Sequence, residues 1–138
     1  MQRYSVFNHT ADLGIHVFGK TAPEVFQNGA YALFDLITDT ELVRLSLERS
    51  VLATGKSWDE LWVNYLRECL YLFNGEGLLL RDYAILTIDE EQVTVRMRGE
   101  AFDPLRHRIK KEIKAVTYHE ATLRETPQGW TGKVIFDV

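Results

Sequence analysis

The sequence predicts an α+β fold, a largely antiparallel sheet with two main helices packed on one face. Three observations predict it. Two segments, each opened by a Ser/Thr and Glu capping pair, carry apolar residues at helical spacing. Strand-like alternation precedes both of them, and almost everything after the second reads as strand. Two helices on one face of a sheet bury both apolar stripes, the arrangement that layered packing favours.

In chain order, "RYSVF" alternates, and Leu13, Ile15 and Val17 alternate with Gly14, His16 and Phe18, so two strands are joined or interrupted around Asp12. The first helix is expected over about 21–38, with Thr21 and Glu24 as its capping pair and Val25, Gly29, Leu33 and Ile37 at helical spacing. After the polar break "TDT", the stretch "LVRLSLERSVLAT" alternates as a half-exposed strand does. A second helix begins at Ser57 with Glu60 and carries Leu61, Tyr65, Leu66, Cys69 and Phe73 on one face. It stops at "NGEG", where Gly75 and Gly77 suit a left-handed cap. Then "LLRDYAILTI", "QVTVRMRG", "EIKAVTYHEATL" and "WTGKVIFDV" read as strands, separated by "DEE", an irregular "AFDPLRHR" and "PQG". No internal repeat or low-complexity linker is visible.

The 138 residues, 46% hydrophobic and 26% charged, are expected to form one globular domain over 1–138. A chain of this length buries about two thirds of its unfolded surface. The start of the sequence is polar where a signal peptide needs an apolar run, and no apolar stretch approaches the roughly 18 residues that span a bilayer. The expectation is a cytoplasmic protein without membrane contact. A net charge of −4 argues against a surface that coats nucleic acid.

Most chemical motifs fail on inspection. "ATGKS", Ala53 to Ser57, resembles the tail of a phosphate-binding loop, but the position five before Gly55 holds Ser50, and Ser57 is explained as a helix cap. There is no G-x-S-x-G elbow, H-E-x-x-H run or cysteine pair, and Cys69 sits in an apolar helical pattern as a buried thiol. No catalytic residue is assigned. His107 and His119 read as structural or surface residues, and Trp58, Trp62 and Trp130 as packing residues. The basic run "RHRIKKEIK", Arg106 to Lys114, is either a solvated strand entry or a docking surface for an acidic or nucleic-acid partner.

Two aspartates remain. Asp12, between Thr10 and Gly14, suits a turn that bonds its own backbone. Asp137 lies in an apolar β-rich tail, where a carboxylate must face water or be compensated. If the last strand runs beside the first strands, the two converge as oxygen ligands for a hard divalent ion.

Taken together, "FNHTADLGI" at 7–15, "WVNYLRECLYLF" in the second helix, "GEAFDPLRHRIKKEIKAVTYH" at 99–119 and the final "GWTGKVIFDV" resemble the archease family, the small protein cofactors of tRNA-splicing RNA ligases. The resemblance covers nearly the whole chain. It implies a non-enzymatic activator that promotes guanylylation of a GTP-dependent RNA ligase at its active-site histidine and so allows multiple turnover. The implied partner is that tRNA-splicing RNA ligase, with only an indirect association with tRNA. The implied cofactor is a divalent metal, calcium by the family's usual assignment, on Asp12, Asp137 and the main-chain oxygen of Val138. One departure is Asn8, where family members commonly carry glutamate; it changes the charge near Asp12 yet still offers a neutral oxygen. Two other readings stand beside this one: a metal-dependent phosphohydrolase built on the same aspartates, and a general chaperone-like modulator.

Overall fold

The computed structural model describes residues 2–9 and 11–138; the His9 side chain also lies outside the description. Strands β1 (Tyr4–His9) and β2 (Asp12–Gly19) lead into helix α1 (Ala22–Ile37) and a 3-10 turn at Thr40–Leu42. Strand β3 (Leu47–Thr54) and helix α2 (Trp58–Asn74) follow, and the rest of the chain forms β4 (Leu78–Ile88), β5 (Gln92–Ala101), β6 (Ala115–Thr126) and β7 (Gly129–Asp137). Both helices and their N-capping residues fall where the sequence places them; of the two glycines expected to form a left-handed cap after α2, Gly77 does so with φ 68°, whereas the C-cap Gly75 stays right-handed at φ −93°. Among the described residues no helix is long and apolar enough to cross a membrane.

The α+β class and the antiparallel pairing hold, but the strands divide between two sheets. One has the order β1-β2-β7-β6 and the other β3-β5-β4, and among the described residues neighbouring strands run antiparallel. The last strand thereby enters the middle of the first sheet, between β2 and β6. Each helix touches both sheets, α1 through β2 and β4, and α2 through β6 and β3. This double contact explains why the buried arc of each helix is wide: Val25, Phe26, Ala30, Leu33, Phe34 and Ile37 on α1, and Leu61, Trp62, Tyr65, Leu66 and Cys69 on α2. Each large side chain taken fully out of water contributes about 1.5–3 kcal/mol. The helices meet at Phe26, whose ring centroid lies 5.4 Å from Trp62 and 5.0 Å from Tyr65, while the Tyr65 hydroxyl donates to the Phe26 carbonyl at 3.0 Å.

One strand begins later than the alternation suggests. Residues 43–46 are not strand, because their backbone groups bond elsewhere. Val43 N–H closes the 3-10 turn onto Thr40, its carbonyl accepts from Arg81, and Arg44 N–H donates to the Glu100 carboxylate at 2.7 Å. Tertiary partners have taken the groups a ladder needs. At the other end, β6 begins at Ala115 rather than at Glu112.

A repeat that is hard to see in the letters is plain in space. The β2–α1 and β3–α2 junctions are built alike. Thr21 and Ser57 cap their helices by accepting from Glu24 N–H and Glu60 N–H, both at 3.2 Å. In return Glu24 accepts from Lys20 N–H and Glu60 from Lys56 N–H. One turn further on, Asn28 donates to the Phe18 carbonyl and Asn64 to the Thr54 carbonyl, both at 2.7 Å, tying each helix back to its strand. A Cβ at Gly19 would fall 2.4 Å from Val25 N, and one at Gly55 would fall 2.5 Å from Leu61 N, so each strand must pass its helix as glycine. Gly-Lys-Thr/Ser, the Glu and the Asn recur at one spacing, while the packing residues between them have diverged.

Candidate functional site

Strands β1 and β2 form a hairpin in which His9 pairs with Asp12. Thr10, part of the N-terminal fingerprint, lies outside the described residues. Ala11 has φ 63°, the left-handed region that costs a residue with a Cβ on the order of 1 kcal/mol. A strained backbone position thus stands directly before Asp12.

The pairing of β2 with β7 starts at Leu13 with Phe136, so Asp12 and Asp137 each stand one residue beyond that pair at the same end of the sheet. On its other side Asp137 pairs with Ala115 of β6. His9, Asp12, Asp137 and Ala115 therefore form one row across four strands. Leu13 and Phe136 are buried on the helix-covered face, and side chains alternate along a strand, so Asp12 and Asp137 leave from the opposite face. Asp12 is half-buried and Asp137 exposed. Cross-strand neighbours have Cβ atoms about 4.5–5.5 Å apart, close enough for two carboxylates to share one ion at oxygen distances of about 2.3–2.6 Å. The Asp137 carbonyl is occupied, accepting from Lys114 N–H at 2.7 Å. Val138 lies just beyond that bond, its side chain packed against the core.

The register thus sets the two aspartates named from the sequence at one end of the sheet, with Val138 the next residue along the chain. Among the described residues no three Asp, Glu, His or Cys side chains gather as a ready metal cage. A cation here would rely on two carboxylates, main-chain oxygen and solvent, a hard-oxygen set that suits calcium or magnesium better than a thiophilic metal.

Next to this row the outer face of the sheet is shaped by Gly14. The Phe7 ring lies over it, where a Cβ would fall 2.2 Å from Phe7 Cζ. Phe7 packs on His16 with centroids 4.7 Å apart and the rings tilted by 35°, and Lys133 Nζ sits 5.5 Å from the Phe7 centroid and 2.9 Å from Glu120. Asn8 pairs with Leu13, which puts it on the opposite side of the sheet from Asp12. The expected influence of Asn8 on charge beside Asp12 is corrected by this pleat.

The basic run divides by function. Arg106 turns inward to pair with Glu100, while Arg108 and Lys110 lie 3.7 and 3.5 Å from Asp39. Lys111 and Lys114 are exposed. Glu100, 8% exposed, is the hub that sequence reasoning missed. Its carboxylate accepts from Arg106, from Arg44 N–H and from His107 Nε2 at 2.9 Å. Burial pushes the Glu100 carboxyl up, but these hydrogen bonds and the Arg106 charge outweigh it and hold it down at about 2. His107 Nδ1 accepts from Asp103 N–H at 2.9 Å, so Nε2 must carry the ring proton that goes to Glu100. The available signal was an acidic residue at a strand end, followed six and seven residues later by Arg and His.

Other residues settle into structural roles. His107 is buried in the loop and His119 is exposed, 3.1 Å from Glu120. Burial pushes the Cys69 thiol up, which makes it inert. The helix end at Gly55–Ser57 is already capped by Glu60, a carboxylate standing where a phosphate would bind. Trp58, Trp62 and Trp130 pack in or against the core, with Trp58 and Trp130 edge-to-face at 5.0 Å.

Comparison with known proteins gives concordant results. The model of the Archease protein family (MTH1598/TM1083) matches residues 4–138. Protein archease of Methanosarcina mazei is 37% identical, with 99% of this chain and 97% of that protein covered. Protein archease of Pyrococcus furiosus is 34% identical with both chains fully covered. The solution structure of Methanobacterium thermoautotrophicum protein 1598 superposes with a TM-score of 0.82 at 32% identity, covering 100% of both chains. A crystal structure from Thermotoga maritima, described as an archease and possible chaperone, gives a TM-score of 0.62 at 19% identity over 96% of this chain and 94% of its own, a likeness of fold alone.

Proposed function

The chain belongs to the archease family, and we propose that it serves as a protein cofactor of a GTP-dependent tRNA-splicing RNA ligase, promoting guanylylation of the ligase's active-site histidine and hence its repeated turnover. The observation that carries this reading is the row that puts Asp12 beside Asp137 at one open end of a sheet, with Val138 just beyond.

In this reading the carboxylates of Asp12 and Asp137 and the main-chain oxygen of Val138 hold a divalent cation, calcium by the family's assignment. When bound, that ion supplies positive charge of the kind that developing phosphate oxygens require. The chain's own residues do the positioning. The Leu13 and Phe136 side chains, anchored in the core, fix the two strand ends from which the aspartates project. The Lys114 N–H on the Asp137 carbonyl keeps the third strand in register. Calcium takes about six to eight oxygens, so this ligand set leaves places for a partner's groups. The protein performs no bond-making itself.

The test is RNA ligation with limiting ligase, followed over many turnovers with and without this protein. Stimulation is expected, and Asp12→Ala or Asp137→Ala should abolish it, weaken calcium binding by calorimetry, and leave the melting temperature in metal-free buffer unchanged. Stimulation that survives loss of metal binding would defeat the mechanism. Phosphate release by the protein alone would favour the phosphohydrolase reading, and protection of unrelated clients from aggregation, with no effect on the ligase, the chaperone one.

A further inference from the structure

We propose that the loop 102–114, together with the adjoining segment Leu42–Leu45, is a protein-docking surface whose anchor is Leu105 and whose occupant is an apolar pocket rimmed by carboxylates on the ligase; this rests on the cofactor reading above. The starting observation is a contradiction in economy. A long connection without regular structure is ordinarily a mobile part of a domain. Here almost every turn of it is fastened.

At its base, Phe102 N–H donates to the Gly77 carbonyl at 2.7 Å and the Phe102 ring meets Phe73 edge-on at 5.9 Å. At its tip, Asp103 accepts from Leu105 N–H through its carboxylate, and from the Arg106 and His107 N–H groups through its carbonyl. Glu100 holds Arg106 and His107 from inside. Along its return, Thr38 Oγ1 donates to the Arg108 carbonyl at 2.7 Å and Lys110 N–H to the Ile37 carbonyl at 2.7 Å. Asn74 holds the Ile113 carbonyl, and Lys114 N–H reaches Asp137.

What this scaffold displays is a bare leucine. Leu105 is 93% exposed, the highest among the large exposed hydrophobics, and it stabilises nothing in the isolated fold. The 42–45 segment reaches the same place through Arg44 N–H on Glu100, and it adds Leu42, 56% exposed, and Leu45, 45% exposed. A single exposed leucine on a loose loop needs no explanation; one displayed bare on a locked loop does. A pre-organised apolar anchor loses little conformational freedom on association, and anchors of this kind concentrate binding energy.

Charge selects the partner's rim. The acids of this region are largely consumed internally: Glu100 is buried, Asp39 faces Arg108 and Lys110, and Asp103 caps the turn. Facing outward are Arg44, Lys111 and Lys114, with Arg108 keeping 74% of its side chain exposed beside Asp39, against Glu41, Glu112 and, past the end of the loop, Asp137. An excess of cations around an apolar knob complements a pocket edged by Asp and Glu. The same loop ends at Lys114, whose N–H bonds Asp137, so the locked loop is joined directly to the aspartate row.

The experiment measures affinity of the full-length protein for the ligase by anisotropy at several salt concentrations, with calcium binding and melting temperature recorded for each variant. Leu105→Ser should raise Kd at least about tenfold with calcium affinity and melting temperature unchanged. Lys111→Glu should raise Kd and flatten its salt dependence. Leu86→Ser, removing a leucine 53% exposed on β4, should do nothing. Wild-type protein that binds ligase while Leu105→Ser binds equally well overturns the docking surface and leaves the cofactor reading intact. Wild-type protein with no affinity for ligase overturns the cofactor reading. Self-association abolished by Leu105→Ser, or tRNA binding weakened by Lys111→Glu but indifferent to Leu105→Ser, would overturn the partner assigned here.

Discussion

Replacing Glu100 with glutamine keeps the side chain's shape and removes its charge, which isolates the electrostatic part of the loop lock. The depression of the carboxyl from 4.5 to about 2 corresponds to about 3 kcal/mol at about 1.4 kcal/mol per pH unit. Arg106, the strongest partner, is 29% exposed, and solvent screening trims the figure to about 2 kcal/mol. For a chain of 138 residues that is a fall in melting temperature of about 6–10 °C at pH 7. The sign follows from the direction of the shift. A depressed carboxyl contributes stability that is fully present above its unfolded value and is lost as pH falls through its folded value. The gap between Glu100→Gln and wild type should therefore be constant above pH 4.5, narrow from there to about 2, and close where the wild-type carboxyl is itself protonated. Thermal unfolding by circular dichroism across that range measures it. Faster hydrogen exchange at the Arg44 N–H should accompany the variant, because its acceptor is weakened. Equal melting temperatures at pH 7, or a gap that persists undiminished near pH 2, would refute the assignment of Glu100 as an ionised hub.

Gly19→Ala and Gly55→Ala should each cost about 2–3 kcal/mol in denaturant unfolding, and by similar amounts, because both new methyl groups meet a helix backbone nitrogen at 2.4–2.5 Å. Unequal costs would show that the two junctions are alike only in outline. Asn28→Ala should cost about 1 kcal/mol through its lost bond to the Phe18 carbonyl, a deficit read from the same unfolding curves and contradicted by a stability change near zero.

The sequence by itself determined the helices, their caps and most strands, because these depend on neighbours within one turn or one pleat. Thr21 with Glu24 and Ser57 with Glu60 are local devices, and apolar spacing then gives the buried faces. The family was also legible, through separated motifs whose order survives divergence. It could name Asp12 and Asp137 but could not place them together, since their adjacency depends on β7 entering between β2 and β6, a choice among long-range pairings that local pattern does not encode. The split into two sheets was hidden for the same reason. So was the false start of β3, where Val43 and Leu45 alternate as a strand does while Glu100 and Arg81, distant in sequence, take the backbone. The basic run misled in another way: its charges read as one patch, yet burial turns Arg106 inward, and only the three-dimensional neighbourhood of Glu100 and Asp39 shows which of its cations are tied to a carboxylate of the fold.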